Sequence, residues 1–162
     1  MKRIFLTSIA TSILLVGACR KAPPQFSAQD ATAVRALFDS VVADIRGGKL
    51  DSWAGRFSED ARFYPANSPM LAGRAAILAW GKTLPPMESF SFADVDVAGD
   101  GNLAYGSSRV FLKMKGVPAD SSKQLVVFRR DANGRWWVQA CAVSTDLPMP
   151  TSAAPASPRV RS

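Results

Sequence analysis

The sequence predicts an α+β domain whose helices pack on one face of a curved antiparallel sheet. Apolar residues recur at helical spacing in the first half of the expected folded part, and from Ser89 onward the period of the pattern changes to two. Helices that precede a run of strands joined by short turns are typical of this fold class.

The first helix is predicted to start at Ser27, where Asp30 completes a capping pair three residues later. Gly47 and Gly48 end this helix. One apolar stripe along the helix is expected to face the core. The stripe consists of Val34, Leu37, Phe38, Val41, Val42 and Ile45.

Two shorter helices and one strand follow. Trp53 and Phe57 stand one turn apart in the second helix, and Pro85 with Pro86 ends the third. The predicted elements are a helix from Asp51, a strand from Ala61 to Tyr64, and a helix from about Arg74 to Lys82.

Four strand-like runs make up the second half of the domain. Gly- and Asn-containing segments at 99–102 and 131–134 supply hairpin turns, and residues 116–122 form a longer connection. The runs extend from Phe90 to Val97, Leu103 to Met114, Gln124 to Arg130 and Arg135 to Thr145.

Residues 1–18 have the layout of a secretory signal peptide. Lys2 and Arg3 precede an uncharged stretch that is too short to span a bilayer, because a spanning helix needs about 20 apolar residues. Residues 16–19, VGAC, resemble the lipobox of bacterial lipoproteins. This resemblance implies that Cys19 is acylated and becomes the new N-terminus. The alternative is ordinary cleavage after Ala18, which leaves a soluble secreted protein.

The chain is expected to have four regions: a signal peptide at 1–18, a lipidated tether at 19–26, a domain at 27–147 and a disordered Pro-, Ser- and Ala-rich tail at 148–162. Arg20 follows the cysteine, in place of the Asp that is associated with inner-membrane retention. We therefore expect an envelope protein held by the outer membrane and facing the periplasm, with the lipid bilayer as a partner.

The charge of the domain argues against nucleic acid as a partner. Six of the 20 Lys and Arg residues lie in the terminal segments, which leaves 14 basic against 13 acidic residues between Ala22 and Pro158. A nucleic-acid-binding domain needs a basic face, and basic chain ends do not provide one.

The chain contains no histidine. This excludes Ser-His-Asp and Cys-His catalysis and removes the commonest transition-metal ligand. Cys141 is the only cysteine besides Cys19, and we expect it to be a small buried apolar residue. No metal and no cofactor is predicted.

Three groups of residues resemble the SnoaL-like and ketosteroid-isomerase-like branch of the nuclear transport factor two superfamily. They are Lys49 to Trp53 with Phe57 to Tyr64, Leu71 to Ile77, and Asn133 to Val138 ahead of Ser144. The resemblance spans about Ser27 to Leu147. It implies a cone-shaped sheet wrapped around a long N-terminal helix with two shorter helices, an apolar pocket at the open end, and a homodimer formed through the sheets.

The isomerase branch uses an aspartate base, with a tyrosine and a protonated aspartate as hydrogen-bond donors. The resemblance carries these three positions onto Pro65, Val41 and Val126, all of which are non-polar. We therefore do not expect that isomerisation here, and the sequence favours a non-enzymatic role.

Asp94 and Asp96 are the candidate catalytic residues. They share strand parity with two phenylalanines, and on a pocket-facing side desolvation would raise their pKa toward that of a general base. The alternative is a β-bulge that turns both carboxylates to water, because the valines at 95 and 97 take the opposite parity.

Several aromatic and polar residues are candidates for binding a ligand in the cone. Phenol, guanidinium and amide groups would orient the ligand, and indole and phenyl rings would pack against it. The candidates are Trp53, Phe57, Tyr64, Tyr105, Arg109 and Gln139.

Three functions remain open at this point. The first, which we favour, is a lipid-anchored module that binds a small hydrophobic molecule in the cone. The second is an isomerase, lyase or cyclase that uses carboxylate or tyrosine chemistry. The third is a scaffold whose cavity is filled by its own side chains and whose sheet binds a partner protein.

Overall fold

A six-stranded sheet curves around the first helix. The computed structural model describes residues 25–147, so Cys19, the predicted signal peptide, most of the predicted tether and the predicted tail lie outside the described residues. The elements are α1 (Ala28–Arg46), α2 (Leu50–Ala54), β1 (Phe57–Tyr64), β2 (Leu71–Ala72), α3 (Arg74–Gly81), β3 (Met87–Asp100), β4 (Leu103–Met114), β5 (Asp120–Arg130) and β6 (Trp136–Thr145). No helix within 25–147 is both long and apolar enough to cross a bilayer.

The strand order is β2-β1-β6-β5-β4-β3, and the sheet is not closed. All neighbouring strands are antiparallel except β1 and β6, which pair in parallel. The predicted α+β class, with a curved sheet around a long helix and two shorter helices, is confirmed. β1 and β6 are far apart in the chain, so no hairpin turn forces them to run in opposite directions. The other long strands follow one another through turns and short loops, which makes them antiparallel.

Several element boundaries differ from the sequence prediction: β2 is an additional strand, β3 extends three residues further at each end, and β1 and β5 both begin earlier. Phe57 does not extend the second helix, because α2 ends after five residues and Phe57 instead begins β1 opposite Val138. β5 begins at Asp120, inside the segment expected to be a connection, because Asp120 already pairs with Leu112 of β4. The inner face of β5 is therefore longer than predicted.

The ring of Phe38 holds α1 close to the sheet. Phe38 is buried and packs edge-on against Phe92, with ring centroids 5.3 Å apart. It also sits directly over Gly106 of β4, where an added Cβ would lie only 2.7 Å from Phe38 Cζ. The absence of a side chain at position 106 lets the helix approach the strand closely.

One end of the sheet is closed by a hydrogen-bonded cluster around the start of α1. Asp30 completes a capping box with Ser27. Its Oδ1 atom accepts hydrogen bonds from Arg130 Nη1 at 2.6 Å and from Trp136 Nε1 at 3.1 Å. Phe26 packs edge-on against Trp136 with centroids 5.7 Å apart. We call this end, which also carries the β3–β4 and β5–β6 turns, the closed end.

Replacing Gly106 by Ala should destabilise the domain. The new methyl group would meet the Phe38 ring, and overpacking of this kind typically costs about 1–3 kcal/mol. This exceeds the gain of about 0.5–1 kcal/mol expected from removing a strand glycine. Urea unfolding measures the effect, and Ser107→Ala, on the outer face of the same strand, should stay close to the wild type. A Gly106→Ala variant as stable as the wild type would contradict the close approach of α1.

Replacing Asp30 by Asn should destabilise the domain at pH 7 by about 1–3 kcal/mol, because the negative charge and one of the two acceptor oxygens are lost. Hydrogen bonds from the backbone and the hydroxyl of Ser27, followed by those from Trp136 and the charge of Arg130, lower the pKa of Asp30 to about 2. A lowered pKa stabilises the fold above the unfolded value of about 3.9, and this contribution is lost as the pH falls through about 2. The difference between variant and wild type in unfolding free energy should therefore shrink between about pH 5 and pH 2. A difference that is constant over this range would disprove the role of the carboxylate charge.

Candidate functional site

A narrow apolar cavity of about 50 Å³ lies between α1 and the inner face of the sheet. Its walls come from six of the nine elements: α1, α2, β1, β3, β5 and β6. Apart from one amide and one thiol, the lining is entirely hydrocarbon and indole. The lining residues are Leu37, Phe38, Val41, Trp53, Phe57, Phe92, Gln124, Val126, Phe128, Val138 and Cys141.

Aromatic rings fill much of the cone and limit the size of this cavity. Phe38 contacts Phe92 and Phe128, and Trp53 packs edge-on against Phe57 with centroids 5.4 Å apart. Pockets for drug-sized ligands usually have about 300–1,000 Å³. The space of about 50 Å³ accommodates only a ligand of a few non-hydrogen atoms.

The polar groups of the cavity belong to one row across three strands. Gln124 Nε2 donates to Ser108 Oγ at 3.0 Å, and the thiol of Cys141 lies 3.9 Å from Gln124 Oε1. Burial raises the pKa of Cys141 to about 12, so this thiol is neutral. The amide oxygen of Gln124 is therefore the strongest hydrogen-bond acceptor in the cavity wall.

Two further polar residues of β5, Ser122 and Asp120, lie on the same inner face, two and four residues before Gln124. Asp120 Oδ2 accepts hydrogen bonds from Ser122 at 2.7 Å and from Thr145 at 2.8 Å. Asp120 Oδ1 is buried and has no partner among the described residues. A buried acceptor without a donor is costly, so this rim of the cone has a place for one further hydrogen-bond donor.

Sequence analysis missed both polar groups. It started the strand at Gln124 and did not consider that residue as a ligand contact. The alternation of inward residues in β5 runs back from Phe128 and Val126 to Gln124, Ser122 and Asp120. Extending the two-residue period by four positions would have identified them.

Among the predicted ligand-binding residues, the structure brings Trp53 and Phe57 into the cavity lining. The non-polar residues at two of the positions carried over from the isomerase branch, Val41 and Val126, also line it. The third, Pro65, is buried just after β1.

The other predicted ligand-binding residues do not line the cavity. Tyr64 and Tyr105 are 44% and 46% exposed. Gln139 Oε1 accepts a hydrogen bond from Ser58, and Arg109 pairs with Asp94. Their strand parity places these four residues on the outer face of the sheet, away from α1.

Asp94 and Asp96 also lie outside the cavity, because β3 contains a bulge between Ala93 and Asp96. Asp94 has a positive φ of 54°, and its carboxylate pairs with Arg109 at 2.7 Å. The extra residue reverses the parity of the strand, so that Val95 and Val97 face the core and both aspartates face solvent. In these positions neither carboxylate can reach a group bound in the cavity.

An open groove of about 400 Å³ lies on the outer face of the sheet. Its centre is Trp137, whose ring lies 3.7 Å from the Arg135 guanidinium carbon and 5.3 Å from that of Arg74. A hydrogen bond from Trp137 Nε1, with further ones from the backbone at Arg135, lowers the pKa of Asp131. Arg74 pairs with Glu59 and Arg129 pairs with Asp60, and the Asp131 carboxylate accepts hydrogen bonds from Trp137 and from the backbone, so each charged group of the groove already has a partner within residues 25–147.

Residues 25–147 contain no cluster of three or more Asp, Glu or Cys side chains that could hold a metal ion.

Comparison with solved structures identifies the architecture. The chain is similar to an NTF2-like protein of unknown function from Pseudomonas putida, with a TM-score of 0.67 and 20% identity over 76% of this chain and 91% of that one. It is similar to an NTF2-like protein with a cystatin-like fold from Novosphingobium aromaticivorans, with a TM-score of 0.61 and 20% identity over 73% and 82%. It is also similar to a ketosteroid isomerase-like protein from Erwinia carotovora atroseptica, with a TM-score of 0.64 and 14% identity over 75% and 100%.

No family model and no curated protein sequence matches the chain. Identities of this size establish a shared fold and leave the activity open. The cone of residues 25–147 therefore has the NTF2-like fold, as the resemblance implied.

Proposed function

We propose that this protein is a lipid-anchored module of the bacterial envelope whose cone binds a small apolar molecule. In this proposal the acylated Cys19 holds it at the outer membrane, and the domain lies in the periplasm. The observation that carries the binding function is the cavity under α1, whose walls are apolar except at Gln124 and Cys141.

The chemistry of the lining defines the ligand. Burial of apolar surface supplies the affinity, at about 25 cal/mol per Å². The Gln124 amide oxygen accepts a hydrogen bond from the Cys141 thiol at 3.9 Å and has a second lone pair, so it favours a ligand with a hydrogen-bond donor. The cavity volume of about 50 Å³ restricts the bound part to a short chain or a small group.

Binding is favoured over catalysis because the cavity lining contains no carboxylate and no phenol. An enzyme with this inner face would have to use Asp120, the carboxylate at its rim. Such an activity would show a pH dependence that disappears in Asp120→Asn.

A second candidate function is association through the outer face of the sheet. Leu125, Tyr105 and Tyr64 are 51%, 46% and 44% exposed. Strand pairing places Leu125 beside Ala142 of β6, and Ala142 beside Tyr64 of β1. A continuous apolar strip of this kind is typical of a protein interface, and a second copy of the chain is the proposed occupant.

Replacing Val126 by Phe should abolish retention of the bound molecule, because the larger ring fills the cavity. Native mass spectrometry of the purified chain from Ala22 onward measures the retained mass. Val127→Phe, which puts the same ring on the outer face of the same strand, should keep it. Thermal unfolding checks that both variants are folded.

A wild-type chain without a bound molecule, or equal retention by the two variants, would contradict the binding function. An empty dimer would favour the second candidate in its place.

Replacing Cys19 by Ser should abolish incorporation of a clickable fatty acid by expressing cells and release the protein from the membrane fraction. A single acyl chain gives only marginal attachment, so stable anchoring depends on the several chains that a lipobox implies. Cys141→Ser is the matched control and should keep the label, because that thiol is buried. Labelling that persists in Cys19→Ser would exclude the anchor.

A further inference from the structure

The chain enters the domain at its closed end. Arg130 Nη2 donates to the backbone oxygen of Gln25 at 3.4 Å. Phe26 packs against Trp136 and lies so close to Gly99 that an added Cβ there would be 2.7 Å from its ring. These contacts fix residues 25 and 26 beside the β3–β4 and β5–β6 turns.

The cavity is sealed on the side of that end. Val34, Phe128 and Trp136 are 0%, 2% and 5% exposed, and they separate the cavity from the turns. Four lining residues are partly exposed, and all of them lie further from the closed end than Val34 and Phe128: Leu37, Val41, Phe92 and Gln124. The cavity can therefore open only toward the opposite end, where Asp120 forms part of the rim.

We propose that the domain stands with its closed end on the bilayer and opens its cavity toward the aqueous compartment. The proposal rests on the anchor at Cys19 put forward above. It means that the ligand is a small amphipathic molecule taken from the water phase, and that the cone does not extract lipid from the membrane that holds it.

The reach of the tether supports this orientation. Gln25 lies six residue steps after Cys19, which span at most about 22 Å when fully extended. Asp120 at the rim lies ten residue steps along β5 from Arg130, which holds Gln25. This is a distance of about 30 Å along a twisted strand. An inverted domain would lift Gln25 beyond the reach of its own anchor.

The chemistry of the two ends agrees with this orientation. The rim contains the partly exposed residue Asp120, and transfer of its carboxylate from water to hydrocarbon would be costly. The closed end exposes Leu103, at 54%, together with Arg129 and Arg135. Leu103 lies between Arg129 of β5 and Asp100 of β3, and an apolar side chain beside a guanidinium group suits the headgroup region of a bilayer.

Fluorescence resonance energy transfer from a donor dye on the protein to an acceptor dye in the vesicle membrane tests the orientation, because transfer weakens as the donor lies further from the membrane. The chain from Cys19 onward is coupled through the Cys19 thiol to a maleimide lipid in phosphatidylcholine vesicles that contain an acceptor dye. The buried Cys141, with its pKa raised to about 12, does not compete for the maleimide. A donor dye is attached through an azide-bearing residue at either Asn133, in the β5–β6 turn, or Lys115, in the β4–β5 loop, both of which are exposed.

Transfer should be stronger from position 133 than from position 115. Equal transfer, or stronger transfer from position 115, would overturn the orientation. Protein mixed with vesicles without coupling is the control and should show little transfer from either position. Because the attachment is chemical, this result does not depend on acylation in the cell or on a bound ligand. Failure of the anchor or of binding appears separately in the Cys19→Ser and Val126→Phe experiments.

Discussion

The contact between Phe38 and Gly106 determines the dimensions of this cone. A long helix inside a curved sheet must bury its apolar stripe, and the depth to which it sinks depends on the side chains directly opposite. Here the opposing position has no side chain, so the Phe38 ring rests on the β4 backbone and draws α1 toward the sheet. The same approach brings Phe92 and Phe128 against the ring and leaves only a narrow cavity. The volume of the cavity thus depends on the contact between Phe38 and Gly106.

The inner face of the sheet is divided between two environments. Toward the closed end the inward residues are aromatic and aliphatic, and they bury almost completely. Toward the rim, β5 instead presents Gln124, Ser122 and Asp120 in succession. The apolar half provides stability and a dry cavity, and the polar half limits what can enter it. Such a gradient favours an amphipathic ligand that enters with its apolar end first.

Asp30 shows how one side chain can combine several structural roles. It caps α1, accepts hydrogen bonds from Arg130 and Trp136, and belongs to the cluster that holds Gln25 and Phe26. The helix start, two strands and the entry of the chain therefore depend on one carboxylate. Its hydrogen bonds hold the start of α1 against β5 and β6 at the closed end.

The sequence by itself determined the fold class, most helix and strand boundaries and the capping pair of α1, because these depend on local periodicity and on short-range hydrogen bonds. It also indicated that Trp53 and Phe57 would serve a pocket, since both lie in the motifs that resemble the superfamily. Tertiary structure decided the faces of Asp94 and Asp96, because a single extra residue in β3 reverses every side chain beyond it. It also decided the parallel pairing of β1 with β6 and the size of the cavity, since both depend on contacts between residues far apart in the chain. No local pattern records how closely a helix approaches a strand 60 or more residues away.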